Sequence, residues 1–133
     1  MTEKLGINAV YNVFFVGMGG FFGANLRYLI TLGSRFFFGA QFPFGTWVVN
    51  MIGSFALGYF HALFMQKYNF PMQFQLFITT GFLGALTTFS TFNLESYLFI
   101  QNGEIKKAMI NIFGSILLGI AAVIAGYMLA SRQ

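Results

Sequence analysis

At 133 residues, 57% of them hydrophobic and only 8% charged, with a mean hydropathy of +0.73, the chain is too apolar for a soluble domain, which carries about a quarter charged residues. With no cysteine it holds neither disulfides nor thiolate metal sites. Its net charge of +4 is spread over basic residues that stand singly apart from Lys106-Lys107, which leaves no basic patch for nucleic acid.

Four apolar stretches, about 10–32, 44–66, 71–101 and 108–130, each exceed the ~20 residues that cross ~30 Å of hydrocarbon. The connections between them are short. The sequence therefore predicts an all-α integral membrane protein, one domain over 1–133 with four transmembrane helices. Lys4 ahead of the first stretch also fits a signal peptide, but the stretch is longer than an ordinary h-region and no small-residue cleavage site follows it. It is read as a retained span.

The first span carries Gly17, Gly19, Gly20 and Gly23, and Gly19-xxx-Gly23 has the spacing that lets helix backbones approach in lipid. Ordinary packing accounts for it. Residues 34–43 are rich in phenylalanine, with Gly39 and Pro43 as breakers, and are read as a loop at the membrane surface.

The second span begins near Phe44, with Trp47 as an interfacial anchor. It holds an isolated polar residue, Asn50. An unpaired carboxamide in hydrocarbon costs several kcal/mol, so Asn50 faces either a helix partner or water. His61, without a companion at metal-ligand spacing, is read as a surface histidine.

The third stretch, 71–101, is too long for one straight crossing, since 31 residues at ~1.5 Å each span ~46 Å. Within it, Gly81–Asn93 reads GFLGALTTFSTFN, and seven of these thirteen residues are Gly, Thr, Ser or Asn. Hydroxyls and glycines in the middle of an apolar segment let a spanning helix break and turn backbone groups toward a cavity, as at transport sites. Beyond the predicted break, Phe89 and Phe92 share a helix face with Ser96 close by, and Thr88, Thr91 and Glu95 fall on a neighbouring stripe. Glu95 is the only acidic residue inside a predicted span, which marks a functional position or a charge paired with a residue such as Arg27.

In the fourth stretch Asn111, Ser115 and Gly119 form one polar or small stripe at i, i+4, i+8. The stripe fits a pore face and a tight packing seam equally. With four alternating crossings, Lys4, Lys67 and Arg132 lie on one side and Arg35, Lys106 and Lys107 on the other. Orientation follows the Lys/Arg bias between sides, and here the two sides balance, which predicts insertion in both orientations.

Taken together these residues resemble the Fluc (CrcB) fluoride channel family. The first span contributes Gly19-Gly20-x-x-Gly23-Ala24-x-x-Arg27-Tyr28, and the second Gly45-Thr46-x-x-x-Asn50-x-x-Gly53. The specific part is in the third, Gly81-Phe-Leu-Gly84-x-Leu-Thr87-Thr88-Phe89-Ser90-Thr91-Phe92, followed by Glu95. The resemblance covers all four helices in order. It implies an antiparallel, dual-topology homodimer in a bacterial inner membrane, passing fluoride through two pores. It also implies that Asn50 lines the ion path, that Phe89 and Phe92 meet the ion with their ring edges, and that Asn111 and Ser115 add a polar track. Main-chain carbonyls at the positions of Gly84 and Thr87 would hold a structural Na⁺ at the dimer interface. The fourth-helix match is looser, because Gly119 stands where some relatives place a hydroxyl.

The residues fit that chemistry. Fluoride holds its water tightly, so a selective path must offer replacement donors; Asn50 and Asn111 offer N–H, and Ser115 and nearby threonines O–H. Ring edges carry the positive end of the aromatic quadrupole, which attracts an anion more weakly than a lysine would and so lets it leave. No nucleotide motif, proton-relay cluster or catalytic metal set is present, which implies passive conduction and no enzyme activity. Two other readings fit the size: an exporter of the small multidrug resistance type, which relies on a Glu in its first helix, and a non-transporting membrane scaffold.

Overall fold

A computed structural model describes residues 2–66 and 69–132, with side chains described for all of these except 2–7 and 66. The side chain of Lys4 and the whole of Lys67, both part of the charge balance above, lie outside the described residues. Those residues are helical and contain no strand. Four helices exceed ten residues: α1 (Thr2–Phe38), α2 (Phe44–Gln66), α5 (Phe89–Gln101) and α6 (Ile105–Ser131). Between α2 and α5 lie α3 (Met72–Leu76), a π-helical stretch (Phe77–Leu83) and α4 (Gly84–Leu86). Among the described residues, three segments are long and apolar enough to cross a membrane: Asn8–Phe38, Phe44–Met65 and Ile105–Ser131.

Helix α1 outruns the predicted 10–32 at both ends. Arg35–Phe38, read as loop, is its last turn, because no breaker precedes Gly39. There the chain takes φ +75°, open to glycine at little cost, and the Gly39 amide bonds the Arg35 carbonyl at 3.0 Å to close the helix. Gly103, also at φ +75°, reverses the chain between α5 and α6. His61 is exposed near the end of α2, its ring 6.4 Å from that of Tyr127.

Glycines set how closely the helices meet. A Cβ on Gly19 would run into the Phe77 carbonyl, and one on Gly23 into that of Phe82. Gly19-xxx-Gly23 therefore seats α1 directly against the π-helical backbone. Across the molecule, α2 and α6 interlock through Gly58 against the Val123 carbonyl and Gly126 against the Phe55 carbonyl. The small apolar core, Val49, Leu83 and Leu86, sits between these two packings, while large apolar side chains cover the outside of α1, α2 and α6.

This packing gives a direct test. Gly126→Ala forces a methyl onto a backbone carbonyl that no rotamer relieves, and overpacking of this kind costs about 1–3 kcal/mol. Its thermal midpoint in detergent should fall clearly, whereas Gly33→Ala, with nothing within 4 Å of the new Cβ, should leave it unchanged.

Candidate functional site

The chain is extended between α4 and α5, with Thr87 at φ −79°, ψ 159° and Thr88 at φ −150°, ψ 117°. Local bonds shape both ends. The Thr87 amide and hydroxyl each donate to the Leu83 carbonyl at 3.1 Å, closing α4. The Thr88 hydroxyl oxygen accepts from the Thr91 amide at 3.2 Å, capping α5, and donates to the Thr91 hydroxyl at 2.9 Å.

The rest comes from α2. Asn50 Oδ1 accepts from the Thr88 amide at 2.8 Å, and Asn50 Nδ2 donates to the Thr88 carbonyl at 3.2 Å. One carboxamide thus serves both backbone groups of an extended residue, as a neighbouring peptide would. Two helical bonds are forgone as a result. The Thr88 amide, which a continuous helix would turn to the Gly84 carbonyl, goes to Asn50. The Thr91 amide, which would meet the Thr87 carbonyl, goes to the Thr88 hydroxyl.

A cleft of about 300 Å³ opens at this point, lined by Asn50, Thr88, Phe89, Phe92 and Ser115, with Gly84 and Thr87 on its wall. Phe89 and Phe92 have ring centroids 5.8 Å apart at 37°. Phe89 is 75% exposed and Phe92 only 7%. Ser115 Oγ is buried with no hydrogen-bond partner among the described residues, and Asn50 has a second amide hydrogen beyond the one given to Thr88. The cleft therefore offers an O–H and an N–H beside two aromatic rings, and its lining carries no formal charge. Gly119 completes the wall beside Ser115, so this part of the fourth-span stripe faces the cleft.

The remaining candidates lie elsewhere. Asn111 is fully buried and stands outside the cleft, its oxygen accepting from Trp47 Nε1 at 2.7 Å and its nitrogen donating to Ser96 Oγ at 2.9 Å. Glu95 accepts from the Thr46 hydroxyl at 2.7 Å, at the wall of a second cavity of about 450 Å³ that Arg35, Phe42 and Lys107 also line. Arg27 lines neither cavity; Thr46, and not Arg27, is the hydrogen-bond partner the structure gives Glu95. Thr91 is exposed on α5. Lys107 is held by Glu104 at 2.7 Å and lies 5.7 Å from the Phe99 ring centre.

Three participants escaped the sequence reading in these roles. Thr46 stands four residues before Asn50, hence on the same helix face, a signal that was available. Trp47 and Ser96 meet through Asn111, and Trp47 and Asn111 are 64 positions apart; no local pattern announces that meeting.

The sequence profile of the CrcB-like proteins (camphor resistance, CrcB) matches residues 14–127. A protein of Hydrogenovibrio crunogenus named fluoride-specific ion channel FluC is 46% identical over 111 residues, 84% of each chain. One of Shewanella halifaxensis with the same name is 48% identical over 118 residues, 89% of this chain and 94% of that one. A third, from a Nitratiruptor species, is 46% identical over 121 residues, 91% and 93% of the two chains. With the profile spanning residues 14–127 and the identity holding over 84–94% of the compared chains, this multi-pass membrane protein belongs to the CrcB family.

Proposed function

We propose that the chain is a fluoride-selective channel of the bacterial cytoplasmic membrane, passively exporting fluoride and so lowering its toxicity. One observation carries this reading: Asn50, Ser115, Phe89 and Phe92 line one cleft whose wall carries no formal charge, with the Ser115 hydroxyl buried and unpaired among the described residues. The names of the relatives agree with it. Fluoride is a small, tightly hydrated anion, and neutral donors replace its water without trapping it. Asn50 and Ser115 replace that water, while Phe89 and Phe92 exclude bulk solvent and present positive ring edges. Such a site suits passive conduction of a small anion.

In this reading 72–101 is the third of four crossings, interrupted at Thr87–Thr88. The working unit is an antiparallel homodimer with two ion paths. Gly84, Phe89, Ser90, Thr91 and Asn93 are exposed in the single chain, and polar groups at membrane depth need a covering partner. The balanced basic residues fit insertion in both orientations. Tags placed on single molecules should report both orientations in about equal number; a single orientation would end the dual-topology proposal.

A structural sodium ion fits the interruption. The Gly84 and Thr87 carbonyls have lost their helical amides to Asn50 and Thr88, and hard cations take such oxygens. When bound, sodium supplies positive charge near both anion paths and satisfies carbonyls that hydrocarbon would leave bare. Gly84 and Thr87 would hold it by their main chains, so their side chains leave no signature of it.

The test is fluoride efflux from liposomes holding the purified protein, with valinomycin and K⁺ dissipating voltage and chloride measured alongside. Rapid fluoride release without chloride supports the channel. No release from folded, dimeric protein would instead favour a non-transporting scaffold. A small multidrug-type exporter lacks its essential group here, since residues 8–38 contain no acid.

A further inference from the structure

We propose that Trp47, Asn111 and Ser96 form a strut that fixes Phe92 at the ion path, which makes Trp47 a positioning residue for conduction; the inference rests on the channel reading above. The strut runs through three helices. Trp47 Nε1 on α2 donates to Asn111 Oδ1 on α6 at 2.7 Å, Asn111 Nδ2 donates to Ser96 Oγ on α5 at 2.9 Å, and Ser96 Oγ donates to the Phe92 carbonyl at 2.8 Å.

Its direction is dictated by its first member. An indole nitrogen only donates, so Asn111 must turn its oxygen to Trp47 and its amide nitrogen to Ser96. Ser96 then accepts from Asn111, and its own proton goes to Phe92. Bonds aligned in this way polarise one another in a low-dielectric interior. Asn111, Ser96 and Phe92 are all buried, so no water substitutes for a missing member. A serine bonding back to the carbonyl four residues earlier also bends its helix slightly, here at the residue whose ring closes the cleft.

Packing holds the free end in turn. A Cβ on Gly114 would lie 2.5 Å from Trp47 Cη2, so this glycine lets the indole lie flush on α6. Phe42 meets the same ring edge-on at 5.3 Å. Phe89 has no such tie: among the described residues the one aromatic ring it pairs with is that of Phe92, and it stands largely exposed. Of the two rings at the path, one is braced and the other is free.

The experiment is fluoride efflux from liposomes for the wild type, Trp47→Phe, Ser96→Ala, their double variant and Gly114→Ala, each taken from the dimer fraction. Each single change should slow fluoride about tenfold, the effect of about 1.4 kcal/mol. The double should be no slower than the worse single, because a chain of bonds acts as a unit. Gly114→Ala displaces the indole without removing it and should also slow efflux, which keeps the test alive if Trp47→Phe does not fold. Two results overturn the strut while the wild type still conducts: single variants within twofold of it, or a double near a hundredfold slower, the product expected of unconnected packing defects. A wild type that passes no fluoride removes the channel reading itself and the strut with it.

Discussion

Asn50→Ala is expected to reduce fluoride efflux at least about a hundredfold and to lower the thermal midpoint of the dimer. The change removes both partners of the Thr88 backbone at once. A buried polar group left unpaired costs about 1–3 kcal/mol, so two of them cost about 2–6 kcal/mol, a range centred above the roughly 2.8 kcal/mol that corresponds to a hundredfold. It also takes the remaining amide hydrogen out of the cleft. Asn50→Asp separates these effects. Its oxygen still accepts the Thr88 amide, but it donates nothing and adds a negative charge beside the path. Asn50→Asp should therefore keep more of its thermal stability than Asn50→Ala and still fail to pass fluoride. Efflux and thermal melting on the same preparations check both statements; an Asn50→Ala protein conducting near wild-type rate would remove Asn50 from the path.

Phe92→Ile is expected to slow fluoride by up to about tenfold, since aromatic edge interactions are worth about 0.5–1.5 kcal/mol, tenfold being about 1.4 kcal/mol, and an aliphatic chain offers no positive edge. Phe92 is buried while Phe89 is not, so the two substitutions should differ in stability. Phe92→Ile also leaves a void against the core and should melt earlier. Phe89→Ile should slow fluoride while lowering the midpoint less than Phe92→Ile does. Chloride passage should appear in neither variant. Fluoride efflux equal to wild type in both would detach the aromatic pair from conduction and favour the scaffold reading.

The sequence singled out Gly81–Asn93 because hydroxyls and glycines are costly in hydrocarbon unless they are used, and the candidate cleft is built on that segment. Asn50 stood out for the same reason. Its partner did not, because which backbone group it reaches depends on how α2 packs against 84–101. The π-helical turn at Phe77–Leu83 was also hidden. It lies where Gly19 and Gly23 bring α1 onto this backbone, and no spacing within 77–83 records that. Asn111 and Trp47 were each judged alone, one as pore lining and one as interfacial anchor. Their shared bond is a property of neither local pattern. The extent of α1 was misread for a simpler reason: phenylalanines taken as loop continue a helix until a glycine stops it.

The exchange between Asn50 and Thr88 also has a consequence for assembly. An isolated 72–101 segment has no α2 to claim the Thr88 amide, so its Gly84 carbonyl would keep its ordinary helical donor. Of the two oxygens proposed for sodium, that of Gly84 becomes available only after the second span has docked, whereas that of Thr87 is freed by the local Thr88 cap. Full cation coordination would thus report a finished subunit, and a chain stalled before docking would offer the ion only half of this carbonyl pair.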